Sequence, residues 1–204
     1  DPNYGLAYAW RVCSASWLPD FDFDDNMKYI QKAIELDENE AETHRIMGVM
    51  QRRRGDYEAA EYHIRRAMAL NPSDAYIKAR SAAFYTYKGE PARAIELIEA
   101  AVAQDPFLPV WCIEERGVAL FALGRFEEAI SALGAMPFQT FRSRCYEAAS
   151  RMSIGDQKGA RKAVAKALLI HPTLTISEFF HYETFQDRVL TSNLHDLLLA
   201  AGLP

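Results

Sequence analysis

An all-α fold, an α-solenoid of about five stacked helical hairpins followed by C-terminal capping helices, is predicted by three observations on the 204-residue chain. The stretch Ala41 to Asp74 reads as two short helices, one running to about Arg54 and stopped by Gly55, the other from about Tyr57 to Leu70 and stopped by Asn71-Pro72. Its small residues Gly48, Ala60 and Ala67 and its stops Gly55 and Pro72 return 34 positions later as Ala82, Ala94, Ala101, Gly89 and Pro106. A further 66 positions on, the same five slots are Ala148, Ala160, Ala167, Gly155 and Pro172. Small side chains let two helices press together, and a fixed period of helix, glycine break, helix and proline stop marks a solenoid whose units pack on their neighbours.

The units are expected at about 1–40, 41–74, 75–108, 109–140 and 141–174, with capping helices over 175–204. In the first, Asp1-Pro2-Asn3-Tyr4 looks like the tail of a repeat, as Asn71-Pro72-Ser73-Asp74 does later. A helix should follow from about Gly5 to Trp17, ended by Leu18-Pro19. A second is expected from Asn26 to Leu36 with Asp25 as N-cap, since early acidic side chains favour a helix start. In the third unit Pro91 sits near the start of the second helix, where a missing N–H costs nothing. The fourth has Gly117 and Gly124 one residue late, which predicts a first helix one residue longer, while Met136-Pro137 should cut its second helix short. The fifth restores the period. Beyond it the expected elements are a short helix around Ser177 to Phe185 and a last one from about Asp187 to Ala201, ended by Gly202. Leu190, Leu194, Leu197 and Leu198 make one apolar face of that last helix, as a cap over an open solenoid end requires.

Composition narrows the function classes. The chain is 50% hydrophobic with a formal net charge of −5, and this acidity excludes the basic stripe of a general nucleic-acid binder. Residues 1–40 hold 3 Lys/Arg against 9 Asp/Glu, whereas residues 41–104 hold 10 against 8. That gradient either steers a partner or is a tolerated solvated surface. Cys13, Cys112 and Cys145 are odd in number and show no CxxC, which fits reduced thiols and a cytoplasmic setting. No apolar run approaches the ~18 residues of a membrane span, and there is no signal peptide. Because the chain begins at Asp1-Pro2 rather than Met, a longer parent protein is expected.

With these residues in view, the 34-residue helix-turn-helix unit resembles the tetratricopeptide repeat, which implies a right-handed superhelix of hairpins. The match lies in the small residues and stops. The large positions depart from the family: an early aromatic is replaced by His44, Lys78 and Arg144, and a Leu by Met47, Ser81, Arg116 and Glu147. Two terminal stretches, DPNYGLAYAW and HPTLTISEFFHYETFQDRVLTSNLHDLLLAAGLP, are also similar to the C-terminal repeat regions of bacterial class III adenylate cyclases and winged-helix regulators. That similarity implies a catalytic or DNA-binding part upstream.

In tetratricopeptide arrays the first helices line a groove that receives partner peptides. Carrying the groove positions onto this chain gives Arg45, Val49 and Arg52, then Tyr76, Ala79, Ala83 and Thr86. The fourth and fifth units give Trp111, Glu114, Val118 and Phe121, and Arg142, Cys145, Ala149 and Met152. Aromatics and arginines are the residue types enriched at binding hot spots. Trp111 and Phe121 read equally well as core contacts. A Lys/Asn/Arg carboxylate clamp is not reproduced, because its asparagine slots hold Val49 and Ala83, yet Arg45 and Arg80 would suit an acidic peptide.

Other chemistries find no motif. Asp20, Asp22 and Asp24 have the spacing of a calcium loop but lack its sixth-place glycine and twelfth-place glutamate, so an N-capping turn is the better reading. His44, His63, His171, His181 and His195 show no ligand spacing, and no nucleophile–base pairing or glycine-rich loop stands out. The expectation is a non-catalytic protein-interaction module without cofactor or metal, binding a peptide or partner segment in its groove, or part of its own parent chain. Two alternatives stand beside it: the regulatory tail of a signalling enzyme, and self-association through Leu197 and Leu199 on the last helix.

Overall fold

The computed structural model describes residues 1–16, 18 and 21–204. Among the described residues there are twelve α-helices and no strand. They are α1 (Gly5–Ala15), α2 (Phe23–Leu36), α3 (Ala41–Arg54), α4 (Tyr57–Leu70), α5 (Ala75–Lys88) and α6 (Pro91–Gln104). Then come α7 (Trp111–Ala122), α8 (Phe126–Gly134), α9 (Phe141–Ser153), α10 (Gln157–Ile170), α11 (Ile176–Tyr182) and α12 (Arg188–Ala201). None is long and apolar enough to cross a membrane. The chain divides into two compact units, Asp1–Phe84 and Tyr85–Pro204, each taken by itself below.

Unit 1 is built on the hairpins α1–α2 and α3–α4. Gly55 ends α3 at φ 88°, a left-handed conformation that a Cβ disfavours. Asp56 then caps α4, its carboxylate accepting the Ala59 N–H at 2.9 Å. The hairpin closes because Gly48 lies against α4, where a Cβ would come within 2.7 Å of Ile64 Cγ1 and 3.2 Å of the Ala60 carbonyl. Ala9, Val12, Met27, Ile30, Ala33, Ile46, Met47 and Met50 form the core. A smaller cluster of Ala41, Ala67 and Ile77 joins α3, α4 and α5.

Unit 2 repeats the device. Gly117 in α7 faces Leu133 in α8 so closely that a Cβ would lie 2.5 Å from its Cγ. Pro91 stands in the first turn of α6, and α8 stops at Gly134, ahead of Met136-Pro137. Thr140 and Ser143 cap α9 reciprocally. Helix α12 packs on α9 and α10, with Leu194 and Leu198 buried. The Ile176 N–H donates to the Pro204 carbonyl at 2.6 Å, closing the α11–α12 segment on itself.

Four boundaries differ from expectation. Helix α2 starts three residues early, because Asp22 rather than Asp25 is the N-cap and accepts the Asp25 N–H at 2.9 Å. Helix α7 is not lengthened. It begins at Trp111 through i→i+3 hydrogen bonds from Cys112 to Pro109 and from Ile113 to Val110, both 3.0 Å, and its extra residue is Leu123 at the C-cap. Helix α11 ends at Tyr182, because Glu183 leaves the helix with φ −92° and ψ 83°. Helix α1 ends at Ala15, short of Trp17. Trp17 and Pro19, expected at its end, and Asp20, the first of the spaced acids, lie outside the described residues.

Candidate functional site

Unit 2 gathers its polar side chains where the first helices of its hairpins meet the segment after α11. Glu183, 3% exposed, is the centre. One carboxylate oxygen accepts the Tyr87 hydroxyl at 2.7 Å and the Tyr146 hydroxyl at 2.6 Å, and the other accepts Arg142 Nε–H at 2.6 Å. Arg142 turns its remaining nitrogens to the Tyr87 hydroxyl at 2.9 Å, Glu115 at 3.1 Å and Glu114 at 3.4 Å. Thr140 donates its hydroxyl to Glu114. The last turn of α5, the start of α7 and the start of α9 are thus tied to one carboxylate.

The electrostatics follow from burial and pairing. Burial alone would raise the Glu183 carboxyl, but the Arg142 charge and the three donors overcome it and hold it below the usual carboxylate range. Burial and the adjacent Glu183 carboxylate push the Tyr146 hydroxyl well up. They also push the Cys145 thiol to about 12, so it is an inert core sulfur rather than a nucleophile. Arg142 faces carboxylates on several sides, which outweigh its burial and fix it as a cation.

The chain beyond Glu183 stays on this face. Phe185 is buried with its ring centroid 4.8 Å from that of Tyr87. The Gln186 N–H donates to the Tyr87 carbonyl at 2.8 Å. That carbonyl lies in the last turn of α5, where main-chain acceptors have no partner within the helix.

Unit 1 presents a different face. Arg45, 1% exposed, makes a bidentate pair with Glu42 on its own helix at 2.7 and 2.6 Å. Burial raises the Tyr76 hydroxyl, with Arg80, Glu42 and Arg45 as its charged neighbours. A small cavity of about 60 Å³ lies beside Cys13, Arg45, Val49 and Arg80. His44 and His63 stack at 5.1 Å between ring centroids. His44 Nε2 must donate to the Glu38 carbonyl (3.0 Å), so its Nδ1 accepts from His63 Nδ1 (2.9 Å). Burial and His44 push the His63 imidazole down to about 4.

Of the residues expected at a groove, Arg142 and Glu114 come together in the unit 2 cluster. Arg45, Glu114 and Cys145 are buried, as are Ala79, Thr86, Val118, Phe121 and Ala149. Val49, Arg52, Tyr76, Arg80, Ala83, Trp111 and Met152 are half-buried. Leu197 lines an apolar groove of about 550 Å³ between α12, the α7–α8 turn and the end of α9, while Leu199 is exposed. Sequence reasoning missed Glu183, Tyr87 and Tyr146. The signal for Glu183 was an acid set inside the aromatic run Phe179-Phe180-His181-Tyr182-Glu183-Thr184-Phe185. Among the described residues no cluster of His, Cys, Asp and Glu could hold a metal ion.

Known proteins bear on this geometry as follows. Residues 51–111 match the model of the tetratricopeptide repeat. No curated protein matches the chain. Among solved structures, PilW, a widely conserved type IV pilus biogenesis factor, is similar at a TM-score of 0.71 and 17% identity, over 97% of this chain and 88% of its own. A tetratricopeptide repeat protein from Parabacteroides merdae follows at 0.69 and 12%, over 94% and 70%. YrrB, a TPR protein with an unusual peptide-binding site, aligns at 0.54 and 16%, over 88% and 91%. At these identities the likeness shows the fold, an α-solenoid of tetratricopeptide-type hairpins.

Proposed function

We propose that the chain is a non-catalytic interaction module that receives an extended protein segment along the first-helix faces of its hairpins. One observation supports the reading above the rest: the unit 2 face holds residues 183–186 as a groove holds a peptide, through side chains and one backbone hydrogen bond. The face proposed for a partner is that of unit 1, where Val49, Arg52, Tyr76 and Arg80 are half-buried on α3 and α5. Its arginines suit an acidic segment. Site-specific photo-crosslinking tests this. A crosslinker at Val49 should capture the partner and one at exposed Glu58, in the first turn of α4, should not. Capture at Glu58 alone, or equal capture at both, would contradict the proposal.

A second reading rests on the likeness of Asp1–Trp10 and His171–Pro204 to cyclase repeat regions: the module regulates a cytoplasmic signalling enzyme whose catalytic part lies upstream in a parent chain. The parent gene decides, and one encoding no catalytic or DNA-binding domain removes this reading.

A further inference from the structure

The face of unit 2 is filled by the chain's own residues 183–186, and the way they fill it specifies a ligand. Glu183 leaves α11 at φ −92° and ψ 83°, outside the helical region. Two residues apart, Glu183 and Phe185 are both buried, at 3% and 4% exposure, while Gln186 faces solvent. The first enters a socket of two hydroxyls and a guanidinium, the second packs on the Tyr87 ring, and the Gln186 amide takes a helix-terminal carbonyl.

This arrangement is more than a lid needs. Excluding water from a hydrophobic face requires only apolar side chains. Burying a carboxylate costs several kcal/mol unless a counter-charge and hydrogen-bond donors offset it, and here a guanidinium and two hydroxyls do so in fixed geometry. Those donors come from three places: Tyr87 from the last turn of α5, and Arg142 and Tyr146 from successive turns of α9. Arg142 is itself held by Glu114 and Glu115 on α7, so its guanidinium is oriented by the hairpins as well as by the segment it grips. The socket belongs to the repeat array; the occupant belongs to the tail.

We propose that Tyr87, Arg142 and Tyr146 form a carboxylate-recognising peptide site, occupied in cis by Glu183 to Gln186, whose external ligand is an extended segment of a partner protein carrying an acidic residue two positions before an aromatic ring. The proposal rests on the reading of the chain as an interaction module and names the ligand chemistry of its second face. A tethered occupant acts at an effective concentration near millimolar, so an external segment binds when it matches better or arrives at high local concentration. The site is therefore self-masked, and its partner is selected by the same pattern that masks it.

The test uses a fluorescent eight-residue peptide of sequence FHYETFQD, residues 180–187, with the full chain and fluorescence anisotropy. The native chain should bind it weakly. The full chain carrying Glu183→Ala and Phe185→Ala should bind it more tightly by about tenfold or more, the factor set by release of the tethered competitor. Replacing the peptide's glutamate by alanine should cost that variant about tenfold, as loss of a charge-assisted carboxylate contact does. A helical variant that binds the peptide no better than the native chain, or binds the alanine peptide equally well, overturns the proposal. Should the double variant lose its helicity, hydrogen exchange at Gln186 in the native chain serves instead. Exchange should speed up as peptide is added to millimolar levels, and an unchanged rate overturns the proposal. Failure here leaves the Val49 crosslink on unit 1 untouched, whereas loss of that crosslink with peptide binding intact would sink the wider reading alone.

Discussion

Each unit takes an arginine into the face of its first helices, Arg45 fully and Arg142 in part, and the two solve the resulting problem in opposite ways. In unit 1, Arg45 is paired by Glu42 three residues before it on the same helix, so the charge is settled locally. In unit 2, Arg142 is paired with Glu183, 41 residues further along and outside the hairpins. A buried cation needs a partner in either case. The local solution leaves the surrounding face to other uses, and the distant one recruits a segment of chain onto it. The difference separates an array that only stacks from one that also holds a non-helical segment.

The largest expected effect breaks each pair by removing one member. Arg142→Ala strands Glu183 in a buried site and should cost unit 2 on the order of 3–5 kcal/mol. Glu42→Ala strands Arg45 and should cost unit 1 about 3 kcal/mol or more by the same reasoning. Urea unfolding of single-tryptophan chains distinguishes the units, Trp10 alone reporting on unit 1 and Trp111 alone on unit 2. A variant that weakened both units equally would argue against treating them as separate bodies.

The helix crossings give the next effect. Gly117→Ala would place a Cβ 2.5 Å from Leu133 Cγ and Cδ2, and Gly48→Ala one 2.7 Å from Ile64 Cγ1. Overpacking of this kind costs about 1–3 kcal/mol, and Gly117→Ala should be the worse of the two. Thermal melting checks the order. The reverse order would mean that the α7–α8 hairpin opens more easily than its close contact indicates.

The smallest effect concerns acid. His63 has its folded pKa lowered to about 4, so the unfolded chain binds the extra proton between its ordinary value near 6.5 and about 4. Unit 1 therefore loses stability as pH falls through that window, by about 1–2 kcal/mol once screening of the half-exposed ring is allowed for. Glu183, held low, keeps its contribution to unit 2 until pH drops below the ordinary carboxylate range. Melting between pH 7 and 5 should weaken the Trp10 transition and leave the Trp111 transition in place, and His63→Gln should flatten the difference.

These contrasts show why the hairpins were legible in the sequence and the site was not. Gly55 at φ 88°, Gly48 under Ile64 and Pro91 in the first turn of α6 answer backbone demands that few residue types meet. Such demands recur with the period, so the helices could be placed from spacing alone. The start of α2 was ambiguous because Asp22, Asp24 and Asp25 all suit an N-cap by residue type, and it is Asp22 that takes the cap conformation, φ −81° and ψ 106°. The extra residue of the fourth unit was visible as a shift of Gly124, but the C-cap absorbed it as cheaply as a longer helix would. Arg142 and Glu114 were found by register, whereas their partners were not. Nothing within a few residues of Glu183 marks its pairing with Tyr87, 96 residues away, since that contact is set by tertiary packing rather than by local pattern. Arg45 shows the converse error, because an arginine in a groove slot can be consumed by a glutamate one turn earlier on its own helix.

The most direct test is a double-mutant cycle on Arg142→Ala and Glu183→Ala, read from the Trp111 transition in urea. A pair that binds the tail to the array predicts that the two costs fail to add, with a coupling of about 2–3 kcal/mol. Costs that add within about 0.5 kcal/mol would show the two residues acting independently, and would contradict an occupied peptide face in unit 2.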